Sequence, residues 1–152
     1  MTNMPRASLH HIALTVTDVD ASVTWYERIF GVHHRIDVPH QGGVGKILAD
    51  DEQRLMFALH RHEANDGSLF GERKNGLDHV GLAVTTRIEL EQWQEHLEAN
   101  GVIRADTADK PLTQSPIADE SYASVLVFRD PDNIQLELFA PAATRGFVPE
   151  GR

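Results

Sequence analysis

Two stretches, LHHIALTV at residues 9–16 and LDHVGLAV at residues 77–84, decide the reading of this chain. Aligned on His11 and His79, both follow the frame His-x-x-Leu-x-Val, 68 residues apart. Each alternates apolar with small or polar residues, which is the period-two pattern of a strand with one buried face. Ile12, Leu14 and Val16 share one face, and His11, Ala13 and Thr15 the other. In the second copy Val80, Leu82 and Val84 oppose His79, Gly81 and Ala83. A strand that returns with an imidazole at the same place points to a duplicated module.

Working outward, the segment after each strand has helical spacing. Asp18 or Asp20 can cap a helix carrying Val23, Tyr26 and Phe30, and Gly31 can end it. Strand-like pieces follow at residues 32–38, 44–49 and 54–60. The second copy has Leu90, Trp93 and Leu97 on a helix ending near Asn100 and Gly101, then strands near 102–105, at 123–129 and at 134–139. Asp130-Pro131-Asp132-Asn133 reads as a hairpin turn, because proline presets one backbone angle and asparagine tolerates a left-handed one. Residues 106–120 read as loop. The organisation expected is a first βαβββ module at 8–62, a linker at 63–76, a second βαβββ module at 77–140 and a poorly ordered tail at 141–152. The fold class expected is α+β: two βαβββ modules forming a curled mixed sheet around a cavity, with the helices outside.

Composition narrows the function. The 152 residues include 14 basic and 23 acidic side chains, a formal charge of -9. That disfavours nucleic acid and anionic membranes, both of which reward clustered Lys and Arg. There is no cysteine, hence no disulfide framework and no thiolate ligand. No apolar run reaches the ~20 residues of a membrane span. The N-terminal stretch MTNMPRAS lacks the apolar core of a signal peptide, so a cytoplasmic protein is expected.

The nine histidines carry the chemistry. His11 and His79 lie on the face away from the helices. In the last strand Ile134, Leu136 and Leu138 form the helix side, leaving Gln135, Glu137 and Phe139 on the cavity side. Two imidazoles and a carboxylate from three strands suit one face of an octahedral divalent ion: Fe2+ or Mn2+ first, Zn2+ or Ni2+ next. His10 is expected on the opposite face from His11, as a surface residue. His33, His34, His40 and His96 have no repeat partner with a matching role. His60 is open to three readings: a fourth ligand, a proton shuttle or a polar rim residue. Matching ALH at 58–60 to ELF at 137–139 aligns Ala58 with Glu137, and a one-residue shift would place Phe57 there. His60 and Tyr122 are the candidate catalytic groups, and Lys46 a candidate proton mover or substrate contact.

Three segments, HHIALTVTDVDASVTWYERIFG, GLDHVGLAV and FRDPDNIQLELF, together resemble the vicinal oxygen chelate superfamily over residues 8–140. That superfamily includes glyoxalase I, extradiol dioxygenases, fosfomycin-resistance transferases, methylmalonyl-CoA epimerase and bleomycin-resistance proteins. The resemblance implies a glyoxalase-like fold and one divalent ion held by His11, His79 and Glu137. It also implies a small substrate bound through adjacent oxygens, and a homodimer. Glyoxalase I and the epimerase look for a fourth ligand, usually Glu or Gln, where Ala58 stands. The dioxygenases look for a tyrosine where Val127 stands. The implied activity is an extradiol-type oxygenase or a glyoxalase-like lyase or isomerase. The alternative is a binding protein of the bleomycin-resistance type, without turnover.

Overall fold

The computed structural model describes residues 3–142. The expected tail therefore lies outside the described residues from 143 onward. The chain divides into two compact units, one through Gly67 and one from Ser68. The expected α+β architecture is present, with the strands distributed over two mixed sheets.

In the first unit β1 (Ile12–Thr15) leads into α1 (Val19–Phe30), followed by β2 (His33–His40), β3 (Gly43–Ala49) and β4 (Met56–His62). The sheet order is β1-β4-β3-β2, with β1 parallel to β4 and the remaining pairs antiparallel. Local chemistry sets the helix ends. The Asp18 carboxylate accepts the Ala21 N–H at 3.0 Å, and Gly31 closes the helix at φ 66°, a left-handed conformation that suits glycine. One helix face buries Val19, Ser22, Trp25, Tyr26 and Ile29. Tyr26, Phe30 and Phe57 form a ring cluster with centroids 5.1–5.7 Å apart, above Leu14, Leu48 and Leu59. Each such buried side chain contributes roughly 1.5–3 kcal/mol through removal from water. Gly43 marks a close backbone approach, since a Cβ there would sit 2.2 Å from the Arg61 carbonyl oxygen.

The second unit repeats the plan with a change. Its elements are β5 (Val80–Ala83), α2 (Arg87–Ala99), β6 (Ile103–Arg104), β7 (Thr113–Gln114), β8 (Ala118–Asp119), β9 (Ala123–Arg129) and β10 (Gln135–Pro141). The sheet order is β5-β10-β9-β7-β6, with β8 also on β9. Thr86 and Glu89 form a reciprocal capping box at the start of α2. The stretch 106–120, expected to be loop, holds the two short strands β7 and β8. The reason lies in Gln114, whose side chain is fully buried and donates to the carbonyls of Gln94 and Val102. These two acceptors tie the polar stretch to α2 and the segment after it, a constraint that composition does not reveal.

The turn at 130–133 forms as read. Asn133 sits at φ 70°, and the buried Asp130 carboxylate accepts the N–H groups of Asp132 and Ile134. Beside it the polar stretch before β5 is tied down. Phe70 N–H donates to Asp132 O, and the Arg129 guanidinium holds both Glu72 oxygens at 3.0 and 3.1 Å. Arg129 is buried and also donates to the carbonyls of Ala108 and Asn133, so one cation joins three segments. No helix among the described residues is long and apolar enough to cross a membrane.

Two outcomes follow from this packing. The Arg129 fork holds the Glu72 carboxyl at about 2, against 4.5 for an ordinary glutamate. A depressed carboxylate stabilises the fold fully above about pH 4.5 and loses that contribution as the pH falls toward about 2. Glu72→Gln should lower the melting temperature at pH 7 and remove that part of the acid dependence in denaturant titrations run across this window. A second variant, Gly43→Ala, forces a Cβ onto backbone and should cost about 1–3 kcal/mol in the same titrations at pH 7.

Candidate metal centre

The pairing of β10 with β5 sets the geometry of the second unit. Glu137 lies opposite Gly81 on β5 and Val127 on β9. Leu136 and Leu138 are buried toward the helix, so Glu137 points to the other face, with its side chain 19% exposed. His79 stands just before β5, and its Nε2 is 3.7 Å from Glu137 Oε2. Its other ring nitrogen, Nδ1, is 2.6 Å from the Asp78 carboxylate. A carboxylate at Nδ1 fixes that nitrogen as the donor and leaves the Nε2 lone pair turned toward Glu137.

This donor set fits a divalent cation. Glu137 is largely buried, yet its nearest polar neighbour among the described residues is an imidazole beyond hydrogen-bond reach. A buried carboxylate without a donor is costly, and a cation is one remedy. Two atoms each about 2.1 Å from one ion stand at most about 4.2 Å apart, so a single ion can touch both. Gly81 leaves the space opposite Glu137 open, since a Cβ there would come no nearer than 3.9 Å to Oε1. Tyr122 lies on the same side. It is exposed, and its ring stacks on Phe139 with centroids 6.1 Å apart.

In the first unit the parallel register of β1 with β4 pairs Ile12 with Phe57 and Ala13 with Ala58. The second unit pairs Val80 with Leu136 and Gly81 with Glu137. Ala58 is therefore the counterpart of Glu137, and His60 that of Phe139. This settles the register against Phe57. His11 is exposed and borders an open groove of about 660 Å³ whose walls include Ile36, Val38, Ile47 and Met56. His10 departs from expectation. It lines the same groove, with its Nδ1 2.9 Å from that of His11. Strand alternation does not govern this pair, because β1 begins only at Ile12.

His60 sits on the groove face of β4, and burial, then the neighbouring His40, His62 and His11, hold its pKa below the ordinary imidazole value. Lys46 does not share that face. It alternates with Gly45 and Ile47 toward the helix side, where its ammonium lies 3.3 Å from Asp37 and 3.6 Å from Asp20. Its contact with Asp37 raises its pKa and lowers that of Asp37. The structure thus brings together His79 and Glu137, and separately His60 with His40. Among the described residues no group of three or more His, Asp or Glu gathers on one point. Sequence reasoning passed over Asp78 and His10, although each adjoins a histidine it had singled out.

The fold has relatives. A structure from Frankia sp. EAN1pec, described as a glyoxylase/bleomycin resistance protein/dioxygenase domain, is 25% identical, with a TM-score of 0.78 over 93% of this chain and 96% of that one. A mutant of the fosfomycin resistance protein FosX from Listeria monocytogenes, complexed with Mn(II) and 1S,2S-dihydroxypropylphosphonic acid, is 20% identical. Its TM-score is 0.64, over 91% of this chain and 94% of that one. A glyoxalase family protein from Enterococcus faecalis is 16% identical, with a TM-score of 0.68 over 87% and 96%. Comparison with curated proteins found no match. Residues 8–138 match the family model, so the chain belongs to the glyoxalase/bleomycin resistance protein/dioxygenase superfamily.

Proposed function

We propose that the protein is a metal-dependent enzyme whose divalent ion, Mn2+ or Fe2+ by preference, is held by His79 and Glu137 of the second unit. The substrate is a small molecule that meets the ion through two adjacent oxygens. The observation that supports this reading most is the line from Asp78 through His79 to Glu137, with an oriented imidazole facing a half-buried carboxylate. The Mn(II) complex of the FosX relative adds support for the ion.

When bound, the ion acts as a Lewis acid that stabilises charge developing on the chelating oxygens, as in an enolate or catecholate. The chain's own residues prepare that chemistry. Asp78 accepts the His79 Nδ1 proton and keeps the ring from turning. Glu137 provides the negative charge, with Val127 across the strand pair and Phe139 next along the same face. The Tyr122 hydroxyl, on the same side as Glu137, is a donor for a substrate oxygen.

Equilibrium dialysis with Mn2+ and Fe2+ tests the reading. Wild type should take up one equivalent at the site, and His79→Ala or Glu137→Gln should weaken uptake at least 100-fold. Asp78→Asn should weaken it by about 10–100-fold, as loss of an orienting partner does. A preparation that binds neither ion, or binds both unchanged in all three variants, overturns it. The loaded protein should then turn over at least one of a catechol, a thiol hemithioacetal or fosfomycin. Metal uptake with tight ligand binding and no turnover would favour the non-catalytic binding reading, with the apolar groove beside His11 as the binding surface.

A further inference from the structure

Three imidazoles meet in the first unit, on the sheet face away from α1. His60 and His62 are two residues apart on β4 and so share that face. His40 closes β2 and pairs with Gly43 on β3, which in turn pairs with His62. Gly45, next on the same face of β3, pairs with His60. The strand between the histidines therefore has glycine at both places where a side chain would stand among the rings. A Cβ on Gly43 would lie 2.7 Å from His40 Cε1, and one on Gly45 would lie 2.5 Å from His60 Cε1. The rings fold over this bare backbone. Centroids are 5.1 Å apart for His40 and His60, 5.1 Å for His40 and His62, and 6.2 Å for His60 and His62.

The nitrogen geometry gives this cluster a chemical meaning. His40 Nδ1 lies 3.2 Å from the Gln41 carbonyl oxygen, which can only accept. That contact fixes Nδ1 as the protonated nitrogen and leaves a lone pair on Nε2. His40 Nε2 is 3.1 Å from His60 Nδ1. Two ring nitrogens at 2.0–2.1 Å from one ion stand about 2.9–3.4 Å apart for angles between octahedral and tetrahedral. Without an ion the pair is a hydrogen bond that His60 Nδ1 donates, and its separation matches that of two ligands on one ion, so loading moves the His60 proton to Nε2. Among the described residues no three such groups yet enclose one point, and the step that completes the site is a turn of His62, which is exposed.

We infer that His40, His60 and His62 form a cation site of their own, taking an imidazole-preferring divalent ion such as Zn2+, Ni2+ or Cu2+. Three neutral nitrogens without a carboxylate suit this borderline class better than Mn2+ or Mg2+, which favour oxygen. The site shares no residue with His11, His79 or Glu137 and does not depend on the function proposed for them. Of the three roles the sequence leaves open for His60, it selects a ligand's, on an ion separate from His79 and Glu137.

The test removes the other ligands first. In the full-length His79→Ala/Glu137→Gln double variant, calorimetric titration should show one equivalent of Zn2+ bound. Adding His62→Ala, at an exposed position, should weaken binding at least tenfold, and adding His40→Ala should do the same. Gly45→Ala displaces the His60 ring and should weaken Zn2+ binding while leaving the histidine set intact. With Cu2+ in place of Zn2+, electron paramagnetic resonance should show hyperfine coupling to three nitrogens, falling to two in His62→Ala. The inference is overturned if the double variant takes up no Zn2+, or if uptake is unchanged by His62→Ala and Gly45→Ala. Circular dichroism of His62→Ala confirms the fold, so a variant that fails at His40 does not decide the matter.

Discussion

The parallel pairing of the first and last strand of each module is the constraint on which the rest depends. In the second unit it places Leu136 beside Val80 and Leu138 beside Leu82, toward the helix. Burying those apolar groups leaves Glu137 and Gly81 no choice of side. A slip of one residue would drive a carboxylate into the core and expose two leucines, a penalty of several kcal/mol on burial alone, roughly 1.5–3 kcal/mol for each leucine. The hydrophobic pattern that stabilises the sheet is therefore the same pattern that aims the carboxylate. Asp78 then orients the adjacent imidazole toward it, so the facing of imidazole and carboxylate grows out of packing plus one hydrogen bond.

The same pairing explains why the two modules differ chemically despite a common plan. Ala58 stands in the first unit where Glu137 stands in the second, and His60 stands where Phe139 does. The duplicated frame kept the architecture while the side chains on the open face diverged. Carboxylates collect near His79, and imidazoles collect on the far end of β4.

Much of this was legible in sequence because it is local. Alternation in residues 9–16 and 77–84, Asp18 and Gly31 as helix ends, and Asp130 to Asn133 as a turn depend on a few neighbouring residues each. What was not legible depends on partners far away in the chain. The short strand β7 rests on the contacts of Gln114 with Gln94 and Val102, and β8 on its pairing with β9. The side taken by His10 escaped parity because regular strand begins two residues later. The histidine cluster escaped because the register of β2 shifts between His34 and Ile36. His34 pairs with the helix-facing Leu48, whereas Ile36 pairs with Ile47 on the open face, so counting by twos from one end of the strand misassigns the other.

That shift has a chemical consequence. Beyond it Ile36, Val38 and His40 fall on the open face, while Asp37 falls on the helix side beside Lys46. The irregularity thus parts two groups: Asp37 meets the His34 imidazole and the Lys46 ammonium on one side, and His40 meets His60 and His62 on the other. Among the described residues no carboxylate contacts those rings, and their nitrogens meet carbonyl oxygen and one another. A polar cluster on the same sheet face as Ile36, Val38 and Ile47 gains little from burial. Glycine at both intervening positions of β3 allows the rings to approach, and that approach produces a nitrogen pair with the spacing of a chelate.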